Sequence, residues 1–457
     1  MPYFKVSTNK SPISYTVGEE IIFDITIRNH KEGFNECRRF KWEFKQDDGK
    51  YLCGEDSVLI GKEHVTLKTS LDRPGFVHLT LTALKPDNSV DNSIDVIHAG
   101  AGADIEKIGY HGNIPDDFDE YWGNIEKMVA DFTPEIVMQV PYYKDVPDWC
   151  DCYDVKISTP VGCYASGYLS IPKKEGVYPL EMSFRGYSIT GALAEFKKDK
   201  IYFSVNALGV ENGFSNEALA EKYPELRGYG FNTEENKRPE TSFWQNMMIR
   251  DLCATKWAKS LEKWDKINLI SLGGSQGAFQ ATTVAAHDKD VTYLKISVPW
   301  FCNLNAENNG YLKGWRPMAQ AGLEYFDTVM QGKRVTCPVE IFACLGDEVC
   351  QAGTVMSLYN SISAPKKIRF LQSGTHGYRP FEWEEYYLYP DFEVSGKYRH
   401  YKGNEYEVLF VAKDSETLED TVIYKSIKDN KIWSRPKHMW ADYVIYNNKL
   451  QKRFEKI

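Results

Sequence analysis

The sequence predicts an α/β protein, with a doubly wound sheet in the middle of the chain, an all-β sandwich before it and a small β module after it. Three observations carry this. The first hundred positions alternate apolar and polar residues in short runs, the next three hundred alternate strand-like with helix-like segments, and the remainder returns to short β-rich runs. At 457 residues the chain exceeds one ordinary domain, and the expected divisions are 1–100, 101–390 and 391–457.

In the first part, Glu20-Ile-Ile-Phe-Asp-Ile-Thr-Ile-Arg28 and Val77-His-Leu-Thr-Leu-Thr-Ala83 have the period of two that puts alternate side chains on opposite faces of a strand. Gly, Asp, Asn and Pro separate such runs, as in an Ig-like antiparallel sandwich. The small-residue stretch His98-Ala-Gly-Ala-Gly-Ala-Asp104 has no such pattern and is read as the boundary.

The second part contains continuous apolar runs suited to a parallel sheet buried on both faces: 178–184, 201–206, 267–272, 294–298 and 339–344. Between them, 243–263 carries apolar residues at helical spacing in Met247, Leu252, Ala254, Trp257 and Leu261. In the third part, 406–411, 421–424 and 433–436 read as three or four strands.

Composition narrows the function. A net charge of −9 lacks the basic footprint that nucleic acid or an anionic membrane requires. No run approaches the ~18 apolar residues of a membrane span, and the N-terminus lacks a charged-then-apolar leader, so a cytoplasmic location is expected. The ten cysteines have no framework spacing and are expected to be reduced; Cys150-x-Cys152 has no second pair to complete a metal site. The 29 tyrosines and 11 tryptophans suit sugar-stacking surfaces and large β-rich cores equally.

The chemistry concentrates at Gly273-Gly-Ser275-Gln-Gly277, where a strand runs into a helix-compatible segment of small residues. This is the setting of a nucleophile elbow, in which a strained turn lifts a serine hydroxyl above the sheet, and in which Gly273 and Gly277 let strand and helix approach. A serine needs a base, and the base an orienting acid. Of the histidines after Ser275, His287 falls on the elbow helix, and His400 and His438 fall in the terminal part; His376 sits in a glycine-bearing loop after a strand. Asp347, at the end of the 339–344 run, is the best-placed acid, with Glu348 and Asp327 behind it. Oxyanion donors are expected from the Gln276 N–H and the Tyr187 N–H, the latter freed by the flexible Gly186.

These residues resemble the acetyl xylan esterase and cephalosporin C deacetylase family of α/β-hydrolases over about residues 105–385. Gly274-Ser-Gln-Gly277 is similar to the family's elbow, Arg185-Gly-Tyr187 to its His-Gly-Tyr oxyanion loop, and Leu345-Gly-Asp-Glu-Val-Cys350 to the stretch bearing its acid. The resemblance implies hydrolysis of short acyl esters, chiefly acetyl groups on sugars, by Ser275, Asp347 and His376 through an acyl-enzyme, with no cofactor or metal. It also implies a small acetylated carbohydrate or metabolite as partner, and leaves a homo-oligomer open. The chain departs from the family in Leu208-Gly-Val210 for Arg-Gly-Gln, Arg185 for histidine and Gly377 for the glutamate after the histidine. From Gly396 onward, Gly396-Lys-Tyr-Arg-His-Tyr-Lys-Gly403, Ser415-Glu-Thr-Leu418 and Trp433-Ser-Arg-Pro436 resemble a small bacterial domain family without established function. Two other readings stand: the same three side chains acting on a thioester or another small carboxylic ester, and an inactive scaffold whose flanking β units bind a glycan. The intact serine, acid and histidine argue against the second.

Overall fold

The computed structural model describes residues 2–29, 37–61, 63–206, 208–415, 419–447 and 449–457. In the first part, strands β1 (Pro2–Thr8), β2 (Ile21–Asn29), β3 (Cys37–Gln46), β4 (Tyr51–Leu59), β5 (Val65–Thr69), β6 (Gly75–Leu84) and β7 (Ile97–Ala103) form two sheets, ordered β1-β2-β5 and β4-β3-β6-β7. The alternation in β2 buries Ile21, Phe23, Ile25 and Ile27 completely, against Phe40, Phe44, Leu79 and Leu81 of the facing sheet. Each such side chain contributes about 1.5–3 kcal/mol by leaving water.

The boundary expected near residue 100 falls inside β7. His98–Ala103 lacks an alternating pattern because both of its faces are covered: Ala99, Ala101 and Ala103 face the sandwich core, and a Cβ on Gly100 would meet the Leu345 carbonyl at 2.5 Å. Small residues here reflect close packing against the central unit.

The central unit contains α1 (Phe118–Asp131), β8 (Ile136–Pro141), β9 (Cys150–Ile157), β10 (Ala165–Pro172), β11 (Tyr178–Phe184), β12 (Ile201–Asn206), α2 (Asn216–Lys222), α3 (Phe243–Ala258), β13 (Trp264–Gly274), α4 (Gln276–His287), β14 (Val291–Ser297), α5 (Thr328–Gly332), β15 (Val339–Cys344), α6 (Ala352–Ser361), β16 (Lys366–Leu371) and β17 (Glu385–Leu388). Its ten strands follow the order β17-β16-β15-β14-β13-β11-β12-β10-β9-β8. The strands β11 to β15 that bear the apolar runs are parallel, as expected, and so is β16; β8, β9 and β10 on one edge and β17 on the other are antiparallel additions. Every residue of β12 is buried, which is why its sequence shows no alternation. Helix α3 stops at Ala258, short of the expected Lys263, because Ser260 Oγ donates to the Trp257 carbonyl and Lys266 Nζ takes the carbonyls of Lys259 and Leu261. All ten cysteines are free thiols, and Cys150 and Cys152 are buried in β9. No helix among the described residues is long and apolar enough to cross a membrane.

The last part has more strands than expected. β18 (Gly396–His400), β19 (Glu405–Lys413), β20 (Asp420–Ser426), β21 (Ile432–Pro436) and β24 (Phe454–Lys456) form a sheet ordered β21-β20-β19-β18-β24, beside a hairpin of β22 (Tyr443–Tyr446) and β23 (Lys449–Lys452). Strands of three or four residues are too short to show a period. Trp440 stacks on Phe454 with ring centroids 4.0 Å apart at the centre of this module. Within Ser415-Glu-Thr-Leu418, positions 416–418 lie outside the described residues.

Candidate active site

The geometry begins with a strained turn. Ser275 joins β13 to α4 with φ 56° and ψ −122°, a conformation a non-glycine residue adopts only when its surroundings enforce it. Here the enforcement is close packing on both sides. A Cβ on Gly273 would lie 2.0 Å from the Gly277 carbonyl oxygen, and one on Gly277 would lie 2.1 Å from the Phe184 carbonyl oxygen at the end of β11. The Ser275 N–H donates to the Ser297 carbonyl, and its own carbonyl accepts from Ala278 and Trp300.

The turn delivers the hydroxyl to an imidazole. Ser275 Oγ lies 2.9 Å from His376 Nε2, and His376 Nδ1 lies 2.9 Å from Asp347 Oδ2. The Asp347 side chain is fully buried, and its other oxygen, Oδ1, accepts from the Val349 and Cys350 amides at 2.8 Å each. Those two amides fix the carboxylate, the carboxylate fixes the ring, and the ring faces the serine. Residues 101 and 29 positions apart in sequence thus form one chain of hydrogen bonds at the ends of β13, β15 and β16.

The other candidates have structural employment. His287 ends α4 with its side chain buried, bonded to Glu126 and Gln331 at 2.7 Å each and stacked on Trp122 at 4.0 Å. Asp327 is buried and accepts from the amides of Asn303, Leu304 and Val329; burial outweighs those bonds and pushes its carboxyl up to about 6. It clamps the segment after β14, where Val298, Phe301 and Asn303 all hold positive φ. Glu348 points to the sandwich, toward His78 and His98. His438 stacks on Tyr387 at 3.8 Å, away from the serine.

The expected oxyanion donors are the Gln276 and Tyr187 amides. Gln276 is the first residue of α4, and among the described residues neither its N–H nor that of Tyr187 has a backbone acceptor. The two are tied together: Gln280 Nε2 donates to the Arg185 carbonyl, and Tyr229 OH donates to Gln276 Oε1 while its carbonyl accepts from Tyr187 OH. Gly186 does not hold a left-handed conformation, and a Cβ there would touch only the Gly274 carbonyl, at 3.8 Å. Arg185 is largely buried, which lowers its guanidinium from its ordinary range. At Leu208-Gly-Val210, polar support comes instead from Ser166 Oγ and Asn206 Nδ2, both donating to the Val210 carbonyl.

The sequence reading missed the aromatic wall beside the serine. Tyr187 packs on Tyr229 at 4.3 Å and on Trp315 at 4.8 Å, and Trp315 packs on Phe231 at 4.9 Å and on Trp300 at 5.6 Å. Trp315 is 43% exposed and Trp300 is buried, so the wall presents one indole to solvent on a rigid backing. The high aromatic content was the available signal, but these rings come from separate segments. The Cys350 thiol faces Ser275 from below, and burial raises it well above the ordinary thiol range.

Residues 104–389 match the family described as acetyl xylan esterase, AXE1, and residues 396–456 match a family of proteins of unknown function, DUF1653. Over 335 residues the chain is 28% identical to an acetyl esterase, Axe7A, of Xylanibacter ruminicola, covering 69% of this chain and 73% of that protein. An acetyl xylan esterase from Paenibacillus sp. R4 has the same fold, with a TM-score of 0.51 and 18% identity over 61% of this chain and 94% of the other.

Proposed function

Because the chain belongs to the acetyl xylan esterase family, and is therefore a carboxylic ester hydrolase acting on acetylated carbohydrate, we propose that Ser275, His376 and Asp347 carry the reaction through an acyl-enzyme. The observation that carries this reading is the continuous chain from Ser275 Oγ through both ring nitrogens to the buried Asp347 carboxylate, with 2.9 Å at each link.

In this mechanism His376 Nε2 takes the hydroxyl proton as Ser275 Oγ attacks the ester carbonyl carbon. Asp347 holds the proton on Nδ1 and stabilises the imidazolium, and the Gln276 and Tyr187 amides receive the negative oxygen. The C–O bond to the sugar then breaks and His376 returns its proton to the departing sugar oxygen. Water, deprotonated by the same imidazole, attacks the acetyl-serine, releases acetate and restores the hydroxyl.

One feature supports a sugar alcohol: the exposed Trp315 face, in ring contact with Tyr187, suits stacking against the apolar face of a pyranose ring. The test compares acetate release from acetylated xylo-oligosaccharides by the wild type and Ser275→Ala, alongside nitrophenyl esters of increasing chain length. Acetate release confined to the wild type, with rates falling steeply beyond acetate, is expected. Equal release by Ser275→Ala would remove the nucleophile, and rates rising with chain length would remove the short-acyl reading.

A further inference from the structure

A second cluster of chemistry-bearing side chains lies at the seam between sandwich and central unit. In the β4-β3-β6-β7 sheet, Lys45 pairs with His78 and Thr80 pairs with His98, so these side chains share one face, opposite the core face of Val77, Leu79 and Leu81. Against that face packs the loop after β15. A Cβ on Gly346 would meet the His98 carbonyl at 2.4 Å, so the loop cannot drift from the strand without opening the seam.

Three donor atoms converge there. His78 Nε2 is 3.1 Å from His98 Nδ1, and Glu348 Oε1 is 3.8 Å from each. In a tetrahedral zinc site with bonds of 2.0–2.1 Å, neighbouring ligand atoms stand about 3.3 Å apart. The three separations bracket that value, and two imidazoles with one carboxylate are a ligand set that zinc takes readily. The His78 side chain is 3% exposed and that of His98 19%, so their positions are set by packing, whereas the half-exposed Glu348 leaves a path for an ion and a fourth position for water.

We propose that His78, His98 and Glu348 bind one zinc ion that ties the sandwich to the loop carrying Asp347. On binding, each ring carries its single proton on the nitrogen remote from the ion, so the ring that donates across the 3.1 Å His78–His98 contact must move its proton to its other nitrogen. Thr80 Oγ1, 3.3 Å from His98 Nδ1, loses that contact to the metal bond. Lys45 Nζ, 3.9 Å from Glu348 Oε1, must yield the carboxylate and opposes binding by its charge. The ion would be structural: its ligands exclude Ser275 and His376, and it acts one residue from Asp347. This departs from the expectation of a metal-free chain.

The test titrates the full-length protein with zinc chloride by calorimetry in a non-chelating buffer, with His98→Gln, Glu348→Gln, Lys45→Met, His376→Ala and the exposed His64→Gln alongside, each verified as folded by circular dichroism. One ion per chain is expected, with affinity lowered at least about tenfold by His98→Gln and by Glu348→Gln, raised by Lys45→Met, and unchanged by His64→Gln. Cobalt(II) should give visible bands of tetrahedral intensity in the wild type, and these should be lost in His98→Gln. Absence of saturable uptake would overturn the proposal. So would uptake indifferent to both ligand variants, and uptake abolished by His376→Ala, which would put the ion at the reaction centre beside Asp347 and Cys350.

Discussion

Ser275 sits at φ 56° because Gly273 and Gly277 let three backbone segments meet around it, and each side chain of the site inherits its placement from that contact. Gly277→Ala therefore sets a methyl against the Phe184 carbonyl and should destabilise the fold by about 1–3 kcal/mol in chemical denaturation, with activity falling alongside because the Gln276 amide shifts. Ser275→Ala keeps the Cβ and the strained turn while removing the nucleophile; acetate release should fall by at least about 10⁴-fold with no loss of melting temperature. Asp347→Asn keeps the shape but offers His376 Nδ1 an amide, and kcat should drop by about 10⁴-fold in steady-state assays. These positions were readable in the sequence because glycine–serine–glycine at a strand end, and an acid and a histidine after later strands, are local signals. The aromatic wall was not, since Tyr187, Phe231, Trp300 and Trp315 share neither a segment nor a spacing. Nor was the employment of Asp327, whose three amide partners become visible only once the chain has turned at Val298 and Phe301.

Among the elements, the apolar runs became strands within a few residues of their expected ends, because burial on both faces leaves a continuous signature. β8, β22 and β23 are among the strands that went unread. All residues of β8 but one are exposed and the hairpin strands are four residues long, so neither periodicity nor apolarity marks them. The terminal module docks on β17 and β16 through His438 stacked on Tyr387 and through Lys367 paired with Asp442 at 2.6 Å. Burial, with Lys367 adding to it, holds the His438 imidazole down at about 4 against an ordinary value of 6.5. The unfolded chain therefore binds more protons than the folded one between those values. The stability this ring contributes is complete above about pH 6.5 and is lost progressively as pH falls toward 4. Calorimetric scans at pH 7.5 and 4.5 should show a drop in melting temperature that is smaller in His438→Gln than in the wild type.

For the molecule as a whole, the seam between sandwich and central unit decides how the parts depend on one another. Gly100 donates its amide to the Gln372 carbonyl, Gln372 Nε2 donates to Thr8 Oγ1, and Asp47 accepts from the Leu312 amide, so the sandwich grips chain on both sides of Asp347. Gly100→Ala, though far from Ser275 in sequence, forces a methyl to 2.5 Å from the Leu345 carbonyl and should lower both the melting temperature and kcat while leaving the sandwich strands intact by circular dichroism. A normal kcat in a folded Gly100→Ala protein would show that the acid loop holds its place without the sandwich. The change from short alternating runs to strand–helix alternation was visible in the sequence; the interlocking of sandwich and central unit was not, because a glycine chosen for a neighbouring backbone reads the same as a glycine chosen for a hinge.

The glycine-rich face of β7 also bears on how the protein is made. Translation delivers residues 1–103 before residue 345 leaves the ribosome, so a sandwich that folds as it emerges would meet the acid loop as a wall already standing. The amino-terminal unit thereby serves as a built-in mould for the enzyme that follows it, and an esterase expressed from residue 104 onward would have to assemble its reaction centre with one side of the casting removed.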